Sequence, residues 1–270
     1  MSIHFDHVVQ VVKDLPQACK DFESQGFTVT QGGVHYKGIS KNALVFFKDG
    51  SFLELLTLRK SLNARFLRLL HKSKLFKKWQ YSPKYGVAYR FYNRAIEQSD
   101  GVTDFCLLVD DPQSSYERIQ KEGIFLTQML SAGRKKPDGS RVSWKMFAPY
   151  IADLPFMRSD YSPASSLPEN ATTHSNGIRG IGAIHQLALD FKDSLTKYQS
   201  LLNKEPDYHD SKLGIFKEGD FEYKIYRASS NPALQKQLSG KGIGLYGLSF
   251  TGGDPNSFDQ SKLHGLQIVV

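Results

Sequence analysis

Two side chains stand on faces that the sequence otherwise fills with hydrocarbon. His7 lies in the run Ile3, Phe5, His7, Val9, Val11, whose alternation puts the imidazole on an apolar face, and Glu54 shares its side with Phe52 and Leu56. A buried ionised carboxylate needs a partner, because desolvation costs several kcal/mol or drives the group to protonate. A neutral imidazole and a carboxylate on neighbouring strands suit a divalent ion such as Zn, Mn, Fe or Ni, which would polarise a ligand oxygen. The same pair also suits plainer roles: a histidine hydrogen-bonded in the core, and a carboxylate in a buried ion pair.

The period of two over residues 3–11 predicts a half-buried strand. Asp14 then caps a helix carrying Leu15, Ala18, Cys19 and Phe22 at helical spacing, ended by Gly26. Strands are expected over Phe27–Thr30, Ala43–Phe47 and Ser51–Leu58, separated by Gly32-Gly33 and by a turn at Asp49-Gly50. This βαβββ order recurs. Lys48-Asp49-Gly50-Ser51-Phe52 returns as Lys217-Glu218-Gly219-Asp220-Phe221, and Gly101–Pro112 aligns without a gap to Gly244–Pro255. A second unit starts at Val102, with strands near Ile124–Gln128, Arg141–Phe147 and Pro155–Arg158; a third starts near Ile181, and a truncated fourth at Gly244. The expected fold class is therefore α+β, with tandem βαβββ units paired into curved mixed sheets that enclose a cleft, since one helix cannot cover a concave sheet. Two domains are expected: 1–160, with an insertion at 59–94, and a degenerate, truncated 177–270. A linker from about Tyr161 to Asn176, rich in Ser, Pro and Asn, separates them. In the third unit His185 aligns with His7 and Tyr223 takes the place of Glu54, so the C-terminal pair is expected to be structural.

With 270 residues and 40% apolar content the composition is that of an ordinary globular chain. The N-terminus is an alternating strand rather than an apolar leader and no run is long enough to span a membrane, so a cytoplasmic protein is expected. Cys19 and Cys106, in different units, argue against a disulfide scaffold or a cysteine-built metal centre; packing is their expected role. The net charge of +8 is concentrated, because Arg59–Arg94 holds 11 of the 35 Lys and Arg residues and no Asp or Glu. Leu62, Phe66, Leu69 and Phe76 fall on one helical face there, and Arg65, Arg68, Lys72, Lys77 and Lys78 crowd the other. A solvated helix packed on its own domain is expected, with an anion-attracting lid, or nucleic-acid or membrane-surface contact, as alternatives. No glycine-rich phosphate loop, zinc-finger spacing or nucleophile elbow is present, and DNA is not an expected partner; a homodimer is compatible with the sequence.

The βαβββ pattern, with His early in the first strand and Glu in the last, resembles the vicinal oxygen chelate superfamily. Within it the chain is similar to the glyoxalase-like group with a GG-x-H, N and LEL signature, here Gly32-Gly33-Val34-His35, Asn42 and Leu53-Glu54-Leu55. Arg134 to Gly139, Trp144, Leu154-Pro155-Phe156 and His174 to Gly177 resemble that group too, over most of residues 3–195. The resemblance implies a cleft between units one and two, a divalent metal held there by His7 and Glu54, and a small, anionic ligand. It further implies His35 as acid or base, and Asn42, Arg134, Arg141 and Trp144 on the walls. Plainer roles stay open: a turn cap for His35, a backbone hydrogen bond for Asn42, core packing for Trp144. Unit two departs from the pattern. Phe105 aligns with His7, and Arg158 stands where a ligand is usual, a cation able to grip a carboxylate or phosphate with two hydrogen bonds. Two functions are compatible: a metal-dependent lyase, isomerase or dioxygenase, or a metal-free protein that sequesters a small anionic compound.

Overall fold

The computed structural model describes residues 2–97, 100–151, 153–164, 166–188, 190–228 and 244–270. The first unit comprises β1 (Ile3–Val11), α1 (Leu15–Ser24), β2 (Thr30–His35), β3 (Ser40–Phe46) and β4 (Phe52–Leu58). The insertion forms α2 (Leu62–His71), α3 (Lys74–Lys78) and α4 (Gly86–Glu97), and the second unit comprises β5 (Gly101–Val109), α5 (Pro112–Lys121), β6 (Leu130–Lys135), β7 (Arg141–Phe147) and β8 (Phe156–Arg158). Their strands close into a barrel in the order β1-β4-β3-β2-β6-β7-β8-β5. After it come β9 (Ile178–Ala188), α6 (Phe191–Leu202), β10 (Tyr208–His209), β11 (Leu213–Glu218), β12 (Phe221–Arg227) and β13 (Gly244–Gly252), in a sheet ordered β10-β11-β12-β9-β13. β9 pairs parallel with β12 and antiparallel with β13, just as β1 pairs with β4 and β5. These are the curved, mixed α+β sheets expected from the sequence.

Local chemistry explains the elements. Asp14, Asp111 and Asp190 each accept from first-turn backbone N–H groups of the helix that follows. Leu15, Ala18, Cys19 and Phe22 form the buried face of α1. β2 begins at Thr30, where the expected strand 27–30 ends, and runs through Gly32-Gly33. The reason is close approach: a Cβ on Gly32 would lie 2.1 Å from Asn42 Oδ1, and that oxygen accepts from Gly33 N–H at 2.9 Å. The second unit shifts likewise, from the expected 124–128 to β6.

One bulge decides what faces the barrel interior. Phe5 pairs with Leu107, yet His7 pairs with Cys106, so Asp6 is an extra residue and the alternation of β1 breaks there. Phe5 therefore turns outward and stacks on Phe221 at 3.9 Å, instead of sharing a side with His7. The bulge also corrects the alignment of Phe105 with His7. Phe105 pairs with Val8 and faces Tyr223 outside the barrel; the residue across from His7 is Cys106.

The main apolar core fills the space between the barrel's outer surface and the C-terminal sheet, running from Val8, Phe27 and Leu53 through Phe105 to Ile184, Tyr223 and Leu248. A smaller cluster of Val9, Leu56, Val87, Cys106, Met146 and Phe156 packs inside the barrel, with Phe91 of α4 against it. Buried Asp104 holds α4 in place: Arg90 donates to both its oxygens at 2.7 Å, and Arg94 reaches it at 2.9 Å. Phe76 of the insertion is buried as expected, but Leu62, Phe66 and Leu69 are exposed, because α2 turns Ala64 and Leu67 toward the protein instead. The 161–176 stretch is tied down: His174 accepts from Thr28 N–H through Nδ1 and donates to Phe46 O through Nε2, both at 2.9 Å. Among the described residues, no helix is long and apolar enough to cross a membrane.

Candidate functional site

Strand register brings the site together. His7 pairs with Phe52 and Glu54 with Val9, on adjacent parallel strands, so both side chains enter the barrel. His7 Nε2 lies 3.5 Å from Glu54 Oε2. Its ring stacks on Phe52 at 4.3 Å with Phe156 at its edge, which fixes the imidazole plane. The other nitrogen, Nδ1, donates to Asp6 Oδ2 at 2.5 Å. Asn42 Nδ2 donates to Glu54 Oε1 at 2.6 Å, so the asparagine bridges the glycine pair of β2 and the carboxylate. His35 approaches from β2: its Nε2 is 3.6 Å from Glu54 Oε1, and its Nδ1 is held by Ser40 Oγ at 3.0 Å.

The second unit contributes different chemistry at matching register. Cys106 pairs with Phe156 as His7 pairs with Phe52, and Arg158 pairs with Leu108 as Glu54 pairs with Val9. Arg158 is engaged by Asp6, donating to both carboxylate oxygens at 2.6 and 2.7 Å. Arg134 is different. It pairs with His35 across the β2–β6 seam and is only 8% exposed, and among the described residues its Nε has no hydrogen-bond partner. Its guanidinium lies 5.2 Å from the Tyr161 ring, which also carries Arg158 at 4.2 Å and meets Trp144 edge-on at 5.4 Å. Trp144 in turn meets the edge of His35 at 6.4 Å. His35, Arg134, Trp144 and Tyr161 thus surround one region beside Glu54, whereas Arg141 is exposed at the start of β7.

Proton affinities follow from these contacts. Burial alone would raise the Glu54 carboxyl, but His7, His35 and Asn42 outweigh it and hold the group at about 2. Asp6 is also brought to about 2, burial being outweighed by His7 and Arg158. Burial pulls His7 down, yet Asp6 and Glu54 together hold it above the usual histidine value. His35 lies below that value, first through burial and then through Arg134, with Glu54 opposing. Burial pushes Tyr161 up to about 12 against the two arginines, and burial beside Asp6 pushes the Cys106 thiol far up.

Asp6, His7 and Cys106 each bring a ligating atom within 4.8 Å of the others, a buried group that could hold a metal ion. His7 Nε2 and Glu54 form a second donor set, each with its remaining polar atom fixed by a neighbour, the outer-shell arrangement that orients metal ligands. Of the two, the second fits a cation better. Arg158 already sits on both oxygens of Asp6, and a protonated thiol is a poor ligand.

Sequence reasoning missed Asp6, Cys106 and Tyr161. Period two assigned Asp6 to the outer face, the bulge hid Cys106, and Tyr161 lay in the expected linker; an aromatic close behind Arg158 was the available signal. In the third unit the strand pairing corrects the alignment again. His185 is faced by Tyr226, whose Oη is 3.1 Å from Nδ1, and by Ser249 Oγ at 2.8 Å from Nε2; Tyr223 is buried in the outer core.

A family model described as a glyoxalase-like domain matches residues 5–202. No curated protein matches the chain. Among solved structures, a hypothetical protein from Staphylococcus aureus is similar with 15% identity and a TM-score of 0.69, over 93% of this chain and 91% of that one. A mutant 4-hydroxymandelate synthase from Streptomyces coelicolor gives 12% identity and a TM-score of 0.53, over 92% and 70%. A xylose isomerase-like TIM barrel/4-hydroxyphenylpyruvate dioxygenase fusion protein gives 15% and 0.50, over 97% of this chain and 38% of that one. At such identities the likeness is one of fold.

Proposed function

We infer, for a chain that belongs to the glyoxalase-like domain family, that the barrel binds a small anionic molecule between a metal-binding pole at His7 and Glu54 and a cationic pole at Arg134. The observation that carries this reading is Arg134: a buried guanidinium with an unsatisfied Nε among the described residues, paired across the strands with His35, which itself lies 3.6 Å from Glu54. A buried N–H without an acceptor costs about 1–3 kcal/mol, which an anionic ligand would offset.

A divalent ion held by His7 Nε2 and Glu54 would supply Lewis acidity toward a ligand oxygen, as in a metal-dependent lyase, isomerase or dioxygenase. The chain's own residues do the rest. Asp6 orients the His7 ring through Nδ1, and Asn42 fixes one Glu54 oxygen so that the other points at His7. His35, kept neutral near pH 7 by burial and Arg134, accepts or returns a proton at Nε2, the nitrogen left open by Ser40. Arg134 receives the anionic group, while Trp144 and Tyr161 cover it and exclude water.

Equilibrium dialysis against Mn(II) tests this. The His7→Ala and Glu54→Gln variants are expected to bind the ion at least about tenfold more weakly, while Arg134→Ala keeps the ion but loses thermal stabilisation by inorganic phosphate. Equal ion content in wild type and His7→Ala overturns the metal assignment. A second reading, metal-free sequestration of a small anion, draws on Cys106 and Arg158 standing in register with His7 and Glu54. Phosphate stabilisation that survives a strong chelator and is lost in Arg134→Ala would favour it.

A further inference from the structure

We propose that α2 is an interfacial anchor that lays this protein on an anionic lipid surface. Leu62, Phe66 and Leu69 recur at helical spacing and are 81%, 65% and 69% exposed, whereas Ala64 and Leu67 on the opposite side of the helix are buried. A surface helix of a globular protein ordinarily turns its bulky apolar stripe inward. Here a contact face of Ala64 and Leu67 points in and a stripe of two leucines and a phenylalanine points out, so most of the stripe's apolar surface is left uncovered by the described residues. Beside it stand exposed Arg65 and Lys72, with Lys60 before the helix and Lys77 and Lys78 after it. Residues 59–94 contain no Asp or Glu, so nothing within the segment neutralises them. Tyr81 and Tyr85, 76% and 41% exposed, add amphipathic rings of the kind that favour the headgroup level.

The combination selects among occupants. An interfacial helix buries Leu and Phe at the acyl boundary while flanking Lys and Arg meet anionic headgroups, and both halves of α2 serve that purpose. Nucleic acid would use the basic residues but leave Leu62 and Leu69 in water. A second copy docked face to face about a two-fold axis would set Arg65 and Lys72 against the same residues, with no acidic group in the insertion to answer them.

Co-sedimentation of the full chain with vesicles decides the matter. We expect binding to vesicles of phosphatidylserine and phosphatidylcholine, little to phosphatidylcholine alone, and weakening by added salt. The combined Leu62→Ser, Phe66→Ser and Leu69→Ser variant, and separately Arg65→Glu with Lys72→Glu, should each bind about tenfold more weakly or worse. Both change exposed positions, and circular dichroism should match the wild type. Failure of the wild type to sediment with anionic vesicles overturns the proposal, as does undiminished binding by the serine variant. Duplex DNA binding without vesicle binding, or self-association that the serine variant abolishes without vesicle binding, overturns it equally.

Discussion

Asp6 joins a neighbour on its own strand to a cation two strands away: it accepts from His7 Nδ1 with one oxygen and from Arg158 of β8 with both. Removing its charge leaves a buried guanidinium without a counter-ion and an imidazole without its orienting carboxylate. Asp6→Asn is therefore expected to lower stability by roughly 3–5 kcal/mol, read from urea denaturation; an unchanged midpoint would mean that Arg158 finds another partner. This residue also marks how far the sequence could be read. His7, Glu54, Asn42 and His35 were legible because each belongs to a strand whose register the hydrophobic period sets or to the signature segment. Asp6 and Cys106 were not, because a single inserted residue reverses the period on one strand and leaves no trace in composition.

Among the elements, β9 repeats the placement of β1 but with different consequences for its histidine. His185 is buried, and burial and Lys224 hold it down at about 4, against the opposing pull of Glu222. Because this value lies below that of an unfolded histidine, the unfolded chain binds the extra proton first as pH falls. The stabilisation is fully present above about pH 6.5 and is lost as pH drops toward about 4, on the order of 3 kcal/mol over the window. His185→Gln should flatten that limb of the stability profile measured by chemical denaturation between these pH values. A slope identical to wild type would show that another group titrates there. The turn signals and helix caps of these elements were plain in the sequence, since Asp caps and glycine stops act locally. The limits of β2 and β6 were not; in β2, Gly32, which reads as a break, admits the Asn42 side chain from the next strand.

Across the whole molecule, the barrel and the C-terminal sheet share their largest apolar cluster rather than owning one each. Phe5 stacks on Phe221 and Phe27 on Phe258, at 3.9 and 5.4 Å, so rings from both ends of the chain meet. We predict a single cooperative unfolding transition, and a loss of roughly 3–5 kcal/mol for Phe221→Ala; two separable transitions, with the variant affecting only one, would show independent domains. The curved mixed sheets of an α+β fold were legible in the sequence, but the seating of one sheet on the other was not, because outward strand positions look alike whether they meet solvent or another layer. The account rests on the interior of the barrel, where a histidine and a glutamate stand together and the Arg134 Nε lacks a hydrogen-bond partner among the described residues. Anomalous diffraction from crystals grown with manganese(II) addresses it most directly. The predicted result is a peak within about 2.0–2.3 Å of both His7 Nε2 and a Glu54 oxygen. A peak bound instead by Asp6 and Cys106, or none at saturating manganese, would contradict it.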